Sequence, residues 1–172
     1  MAIPDDLLDQ AEILVKLDQG KPRQANLRRA VSAAYYALFH LLASAGAEIV
    51  GPGRPAELRN RVRRAFTHEG MKAACAGFLS GKLQDLPADI RSLIAPPLEP
   101  EFALLAKAFI ELQQARHVAD YDFSRSMTRE EALAKINLAD SAFGAWDQVR
   151  RSDNVNVFLT ALLLQRHWRP RT

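Results

Sequence analysis

Cysteine is almost absent from this chain of 172 residues, which contains a single one, Cys75. One cysteine cannot form an intramolecular disulfide, and no group of cysteines and histidines has the spacing of zinc ligands. We therefore expect no metal and no cofactor, and a fold held by its own core. With 48% hydrophobic residues, the chain is long enough for one domain over residues 1–172.

Long apolar runs and disorder-promoting residues are also lacking. No apolar run comes near the roughly 18 residues that a membrane span requires, and the first residues are acidic where a secretory signal is basic. The chain has only 8 glycines and 9 prolines, which argues against extensive disorder. We expect a cytoplasmic protein that has no contact with a membrane.

Lysine is scarce, with 6 residues against 17 arginines, although the net charge is only +3. Residues 54–72 and residues 150–172 each carry a net charge of +4, which leaves −5 elsewhere. The guanidinium group binds phosphate and carboxylate through two parallel hydrogen bonds. The sequence thus predicts anionic partners, with the two basic patches as solvated faces or as contacts to a phosphate backbone.

Apolar residues recur at spacings of three and four along nearly every long segment, and no segment alternates as a half-buried strand does. The pattern predicts an all-α protein. Thr67 is expected to cap one helix, and Thr128 with Glu131 forms a capping box before another. The predicted helices cover about residues 4–20, 22–45, 54–66, 68–79, 101–120, 128–150 and 154–164. Gly46 and the glycines after it are expected to end the second helix, and residues 81–100 are expected to form a proline-rich loop.

The second predicted helix has two distinct faces. One is a broad apolar core face that includes Tyr35, and the opposite face carries Arg29, Tyr36 and His40 with small residues between. Such a face is atypical of a helix left in water, so it predicts contact with a second helix, a second subunit or a pocket. The alternative is that Tyr36 and His40 are hydrogen-bonded interior residues.

Residues 116–122 (RHVADYD) follow the apolar part of the fifth predicted helix. Arg116 and Asp120 are four positions apart and share a helix face, as do His117 and Tyr121. One interpretation is a surface ion pair with an aromatic pair, and the other is a phosphate site.

Three blocks and the helix that follows them carry a resemblance to a known family. They are residues 28–40 (RRAVSAAYYALFH), 67–70 (THEG) and 116–122, followed by a helix rich in Glu and Ala. Their order and spacing resemble the HEPN family (higher eukaryotes and prokaryotes nucleotide-binding domain) over about residues 5–150. The last predicted helix and the basic tail, residues 151–172, lie beyond that region.

The resemblance implies an antiparallel helical bundle that dimerises, so that the arginine-bearing helices of two subunits face each other across a cleft. It implies an RNA- or nucleotide-binding protein, and for many members a metal-independent endoribonuclease of a toxin–antitoxin or defence system with a nucleotidyltransferase partner. Arg116 would contact the scissile phosphate. Tyr36, His40, His68 and Asp120 would line the ligand site.

This sequence departs from the ribonuclease branch of that family after Arg116. The position of the catalytic histidine is taken by Tyr121 or Asp122, and a phenol with an ordinary pKa of about 10 is a poor base at neutral pH. Tyr121 would bind phosphate or stack on a base, and His117, His40 or His68 would replace the missing histidine. The alternative hypothesis is an inactive interaction module that dimerises and scaffolds or neutralises a partner, which the apolar last helix also favours.

Overall fold

A computed structural model describes residues 2–49, 53 and 55–165 of the chain. The predicted all-α class is confirmed, since the described residues form helices and connecting turns without a strand. The helices are α1 (Ile3–Lys16), α2 (Gln24–Glu48), α3 (Ala56–Ala65), α4 (His68–Phe78), α5 (Ala88–Arg91), α6 (Pro100–Tyr121), α7 (Arg129–Val149) and α8 (Val155–Leu164).

The described residues divide into two compact units. The first unit contains residues 2–40 and 108–144, and the second contains residues 41–107 and 145–165 with the undescribed gaps left out. The chain passes from one unit to the other three times, and each of these boundaries falls within a helix, namely α2, α6 or α7. The expectation of one domain stays a prediction.

The core of the first unit is built from α1, α2, α6 and α7. Leu8, Ala11 and Val15 of α1 are buried at the spacing of one helix face. Tyr35 of α2 is completely buried, and its ring centroid lies 5.7 Å from that of Phe109 in α6. The core face predicted for α2 is therefore correct at Tyr35.

The second unit is centred on three phenylalanine rings. Phe158 of α8 lies 5.0 Å from Phe78 of α4 and 4.9 Å from Phe102 of α6, centroid to centroid. All three side chains are buried. The apolar last helix thus packs against α4.

Two local predictions about helix ends are confirmed. The Thr67 hydroxyl accepts a hydrogen bond from the Gly70 amide at 3.1 Å. The Glu131 amide donates to the Thr128 hydroxyl at 3.1 Å, and the Thr128 amide donates to the Glu131 carboxylate at 2.8 Å. Both arrangements satisfy helix N–H groups that have no partner within the helix.

The expectation that Gly46 helps to end the second helix is wrong. α2 continues to Glu48, and a Cβ atom on Gly46 would lie 2.2 Å from the Phe66 ring. Gly46 therefore permits close packing of a ring rather than terminating the helix. Gly51, Pro52 and Arg54 lie outside the described residues, and α3 begins at Ala56 rather than at 54.

One helix among the described residues is long and apolar enough to cross a membrane by length and composition alone. It is α2, and 72% of its most apolar 18-residue window is buried inside the protein. The expectation that no apolar run reaches this length is thus wrong for α2. Its burial is typical of a core helix.

Candidate functional site

The side chain of Arg116, in the last turns of α6, is held by two residues. Its Nη2 atom donates a hydrogen bond of 2.9 Å to the Tyr36 hydroxyl of α2. Its Nε atom lies 3.1 Å from Oδ2 of Asp120, one turn further along α6. This buried Nε nevertheless has no hydrogen-bond partner within the described residues. The Arg116–Asp120 contact is therefore an ion pair whose N–H direction is poor.

The environment of Arg116 keeps it charged and fixed in place. The hydrogen bond to Tyr36 raises the pKa of the guanidinium above its ordinary value, and the charges of nearby Asp120 and Tyr121 act in the same direction. Asp120 is held in turn by the Ser32 hydroxyl, which donates to its Oδ1 atom at 2.5 Å. Only 18% of the Arg116 side chain is exposed, so little of it is open to a ligand.

Beside this cluster lies a cleft of about 760 Å³ in the first unit, which we call the α1–α2 cleft. Tyr36, Asp120 and Tyr121 line it, whereas Arg116 itself is not among its lining residues. Leu7 and Leu14 of α1 form part of the opposite wall. The cleft thus combines apolar and polar walls and meets the Arg116 cluster through the partners of that arginine.

Two adjacent arginines on α2 line the same cleft with different environments. Arg28 donates hydrogen bonds to the carbonyl oxygens of Val118 (3.2 Å), Ala119 (2.9 Å) and Asp122 (2.9 Å), at the C-terminal end of α6, and also to that of Arg125. Arg29 is exposed and makes no hydrogen bond or ion pair within the described part of the chain. Arg29 is therefore the cleft-lining cation that is open to an anion.

Two aromatic side chains at the cleft are largely exposed. Tyr121, the last residue of α6, is 63% exposed, and Phe123, in the loop that follows, is 78% exposed. The guanidinium of Arg116 lies over the Tyr121 ring at 5.8 Å, and that of Arg28 lies over the Phe123 ring at 5.3 Å. Each ring therefore has a protein cation on one side and most of its surface in solvent.

The three histidines that the sequence singles out have different surroundings. His117 is exposed and its ring lies 5.1 Å from that of Tyr121, as their shared helix face predicted. His40 is half-buried, with its ring stacked at 6.2 Å from Tyr36 and edge-on at 5.3 Å from Phe39. His68 is the first residue of α4, in the second unit. The cluster therefore contains Tyr36, Arg116, Asp120 and Tyr121, with His40 and His117 each next to one of its tyrosines.

A second depression in the first unit, of about 500 Å³, differs from the cleft in its charge pairing. Lys135 lies 3.6 Å from Glu111 there, and Arg125 is paired with Glu131. Its remaining lining includes apolar Val118. Because these charges are paired, this depression is the weaker candidate for binding an anion.

No group of three or more His, Cys, Asp or Glu side chains is placed to hold a metal ion in the part of the chain that the structure describes. The basic tail, with Arg166, His167, Trp168, Arg169 and Arg171, lies outside that part.

Sequence reasoning missed two residues of the cleft. It did not assign Arg28 to the end of α6, because the sequence carries no sign of a contact over about 90 positions. It also passed over Phe123, although a phenylalanine in a short polar segment after a helix is a signal that could have been used.

No family model matches the chain, and neither the curated proteins nor the solved structures give a match.

Proposed function

We propose that this chain is a HEPN-type protein that binds RNA or a nucleotide in the α1–α2 cleft. The observation that carries the proposal is Arg29, an exposed arginine without a partner in the described ranges, on the wall of a cleft that Tyr36, Asp120 and Tyr121 also line. The resemblance in residues 28–40, 67–70 and 116–122 supports the same class. An exposed arginine in a concave site is suited to a phosphate group.

The proposal gives the arginines different roles. Arg29 contacts the phosphate, because its guanidinium is exposed and has no partner among the described residues. Arg116 positions the Tyr36 hydroxyl and keeps Asp120 paired, so the carboxylate repels an incoming anion less than an unpaired one would. Arg28 fixes the end of α6, which carries Tyr121.

The test is binding of a fluorescently labelled single-stranded RNA, followed by anisotropy at several salt concentrations. We expect affinity to fall as salt rises, and Arg29→Ala to weaken binding and to reduce the salt slope by about 1. Lys82→Ala is the control, since the Lys82 side chain is also exposed and has no partner among the described residues, but it belongs to the second unit and lies outside both basic patches. No binding at low salt, or equal losses in both variants, would overturn the proposal.

The catalytic form of the proposal assigns proton transfer to His117. This imidazole is exposed beside Tyr121, next to the cleft, so it is accessible to a bound ribose. We expect the protein to cleave a mixed RNA pool, and we expect this cleavage to persist in EDTA and to be lost in His117→Ala. Arg116→Lys, which keeps the positive charge, is the second variant in the same assay. An intact RNA pool with purified protein would reject this form and leave binding in place.

The second candidate function is a module that pairs with a second copy of the chain, and three exposed apolar side chains on or next to α1 favour it. Ile3 and Ile13 of α1, and Leu17 directly after it, are 62%, 62% and 57% exposed, and they share the outer face of the helix with exposed Asp6 and Gln10. An antiparallel pair of α1 helices centred near position 10 would place Asp5 of one copy beside Lys16 of the other. Exposed apolar side chains flanked by complementary charges fit an isologous interface.

The test of this pairing is the molar mass in solution, measured by light scattering over a range of concentrations. We expect a dimer that Ile13→Asp converts to a monomer. Leu93→Asp is the control, because Leu93 is 56% exposed in the second unit. A monomer at every concentration, or a dimer that Ile13→Asp leaves intact, would rule out this interface.

A further inference from the structure

We propose that the α1–α2 cleft accepts a single-stranded RNA of at least two nucleotides, with one base stacked on Phe123 and a neighbouring base on Tyr121. This inference rests on the function proposed above and narrows its ligand from any nucleotide to a short strand. The observation behind it is that two exposed rings line one cleft together with an exposed arginine that no described residue pairs with.

Phe123 is placed as a platform rather than as a core residue. Its ring is 78% exposed, although phenylalanine is among the most commonly buried side chains. The Arg28 guanidinium lies over the ring, and that guanidinium is itself fixed by hydrogen bonds to Ala119 and Asp122. The ring therefore has a fixed cation on one side and an accessible surface for a ligand.

Tyr121 repeats this arrangement two positions earlier. The Arg116 guanidinium lies over its ring, and Arg116 is fixed by Tyr36 and Asp120. The ring remains 63% exposed. The cleft thus has two exposed aromatic rings, and each ring lies beside an arginine that other residues of the protein hold in place.

Stacking on aromatic rings together with a cationic contact to the backbone is how proteins hold single strands without reading their sequence. Tyr121 and Phe123 supply the rings, and Arg29 supplies a cation that no group in the described part of the chain neutralises. A mononucleotide covers only one of the two rings. We therefore expect the strand to bind more tightly than the mononucleotide, by about tenfold for the second ring.

The experiment compares a labelled mononucleotide, a dinucleotide and a hexanucleotide of uridine with the wild type, Phe123→Ala and Phe123→Trp. We expect Phe123→Ala to weaken hexanucleotide binding about tenfold, and Phe123→Trp to restore it with quenching of the new indole fluorescence when RNA is added. A hexanucleotide that lacks its bases should bind the wild type and Phe123→Ala equally. Leu93→Ala serves as the control for removing an exposed apolar side chain in the second unit.

The outcomes separate this inference from the function on which it rests. If RNA binds and Arg29→Ala weakens it while Phe123→Ala does not, the stacking inference is wrong and the proposed function stands. If the wild type binds none of the three probes, the proposed function fails. If Phe123→Ala alters the molar mass in solution but not RNA affinity, the ring belongs to a protein contact and the inference is overturned.

Discussion

Arg28 and Arg29 are neighbours on α2 and line the same cleft, yet Arg28 is hydrogen-bonded to carbonyl oxygens of the protein and Arg29 is bonded to none of its described groups. The last carbonyl groups of a helix have no partners within it. Arg28 supplies donors to those at the end of α6, whereas Arg29 remains available to solvent or a ligand. Two identical side chains, one position apart, thus have separate roles.

We expect Arg28→Ala to lower the free energy of unfolding by about 2 kcal/mol, because it leaves several partly buried carbonyl groups without their charged donor. Arg29→Ala should change stability by less than about 0.5 kcal/mol, as exposed and unpaired positions do. Urea denaturation followed by circular dichroism measures both. Equal losses in the two variants would contradict the division of roles.

The Tyr36 hydroxyl accepts a hydrogen bond from Arg116 across 80 positions of sequence. Tyr36→Phe removes this hydroxyl and keeps the ring, so we expect a loss of about 1 kcal/mol of stability. A double-mutant cycle with Arg116→Lys measures the coupling between the two side chains, which should be at least about 0.5 kcal/mol. Additive losses would show that the contact is not formed in solution.

Predictions that depended on helix geometry within one segment were correct. The Arg116–Asp120 ion pair, the His117–Tyr121 ring contact and the Thr128–Glu131 capping box all join residues three or four positions apart. Side chains at this separation lie on one helix face whatever surrounds the helix. Such contacts are readable from the sequence because local backbone geometry alone places them.

Contacts between distant segments could not be read in this way. The pairing of Tyr36 with Arg116 and the position of Arg28 at the end of α6 depend on how α2 packs beside α6, and no period in the sequence encodes it. The role of Gly46 was misread for a related reason, since the Phe66 ring that it accommodates comes from another segment. A glycine inside a helix looks like a terminator until its packing partner is known.

The capping box at the start of α7 should make part of the stability depend on pH. The Thr128 amide, which donates to the Glu131 carboxylate, lowers the pKa of that carboxyl below its ordinary value, and Arg125 adds to this effect. A carboxyl whose pKa is lower in the folded state stabilises the fold at pH values above its unfolded pKa of about 4.3. That contribution is lost as the pH falls through the lower, folded value.

We therefore expect Glu131→Gln to reduce the loss of stability between about pH 5 and pH 3, measured by urea denaturation at each pH. Thr128→Ala removes the acceptor for the Glu131 amide and should cost about 1 kcal/mol at neutral pH. Glu130→Gln is the control, because Glu130 lies beside the box but is exposed and makes none of its hydrogen bonds. The same acid sensitivity in both glutamine variants would argue against the box as the source.

Asn154 stands at the N-cap position of α8, but its buried side chain makes no capping hydrogen bond. Its Oδ1 atom accepts from the Ala95 amide at 2.8 Å, and its Nδ2 atom donates to the Ala95 carbonyl and to the Glu99 carboxylate, each at 2.8 Å. We expect Asn154→Ala to cost about 2 to 3 kcal/mol, because it leaves these groups unpaired in the second unit. Asn154→Asp should cost more at neutral pH, since the new carboxylate faces Glu99 and has no amide to donate, and lowering the pH should recover part of that loss. Thermal unfolding at pH 7 and pH 5 measures both variants, and Asn137→Ala is the control because Asn137 is exposed. If the loss of stability in Asn154→Asp is the same at both pH values, Glu99 does not contact this position.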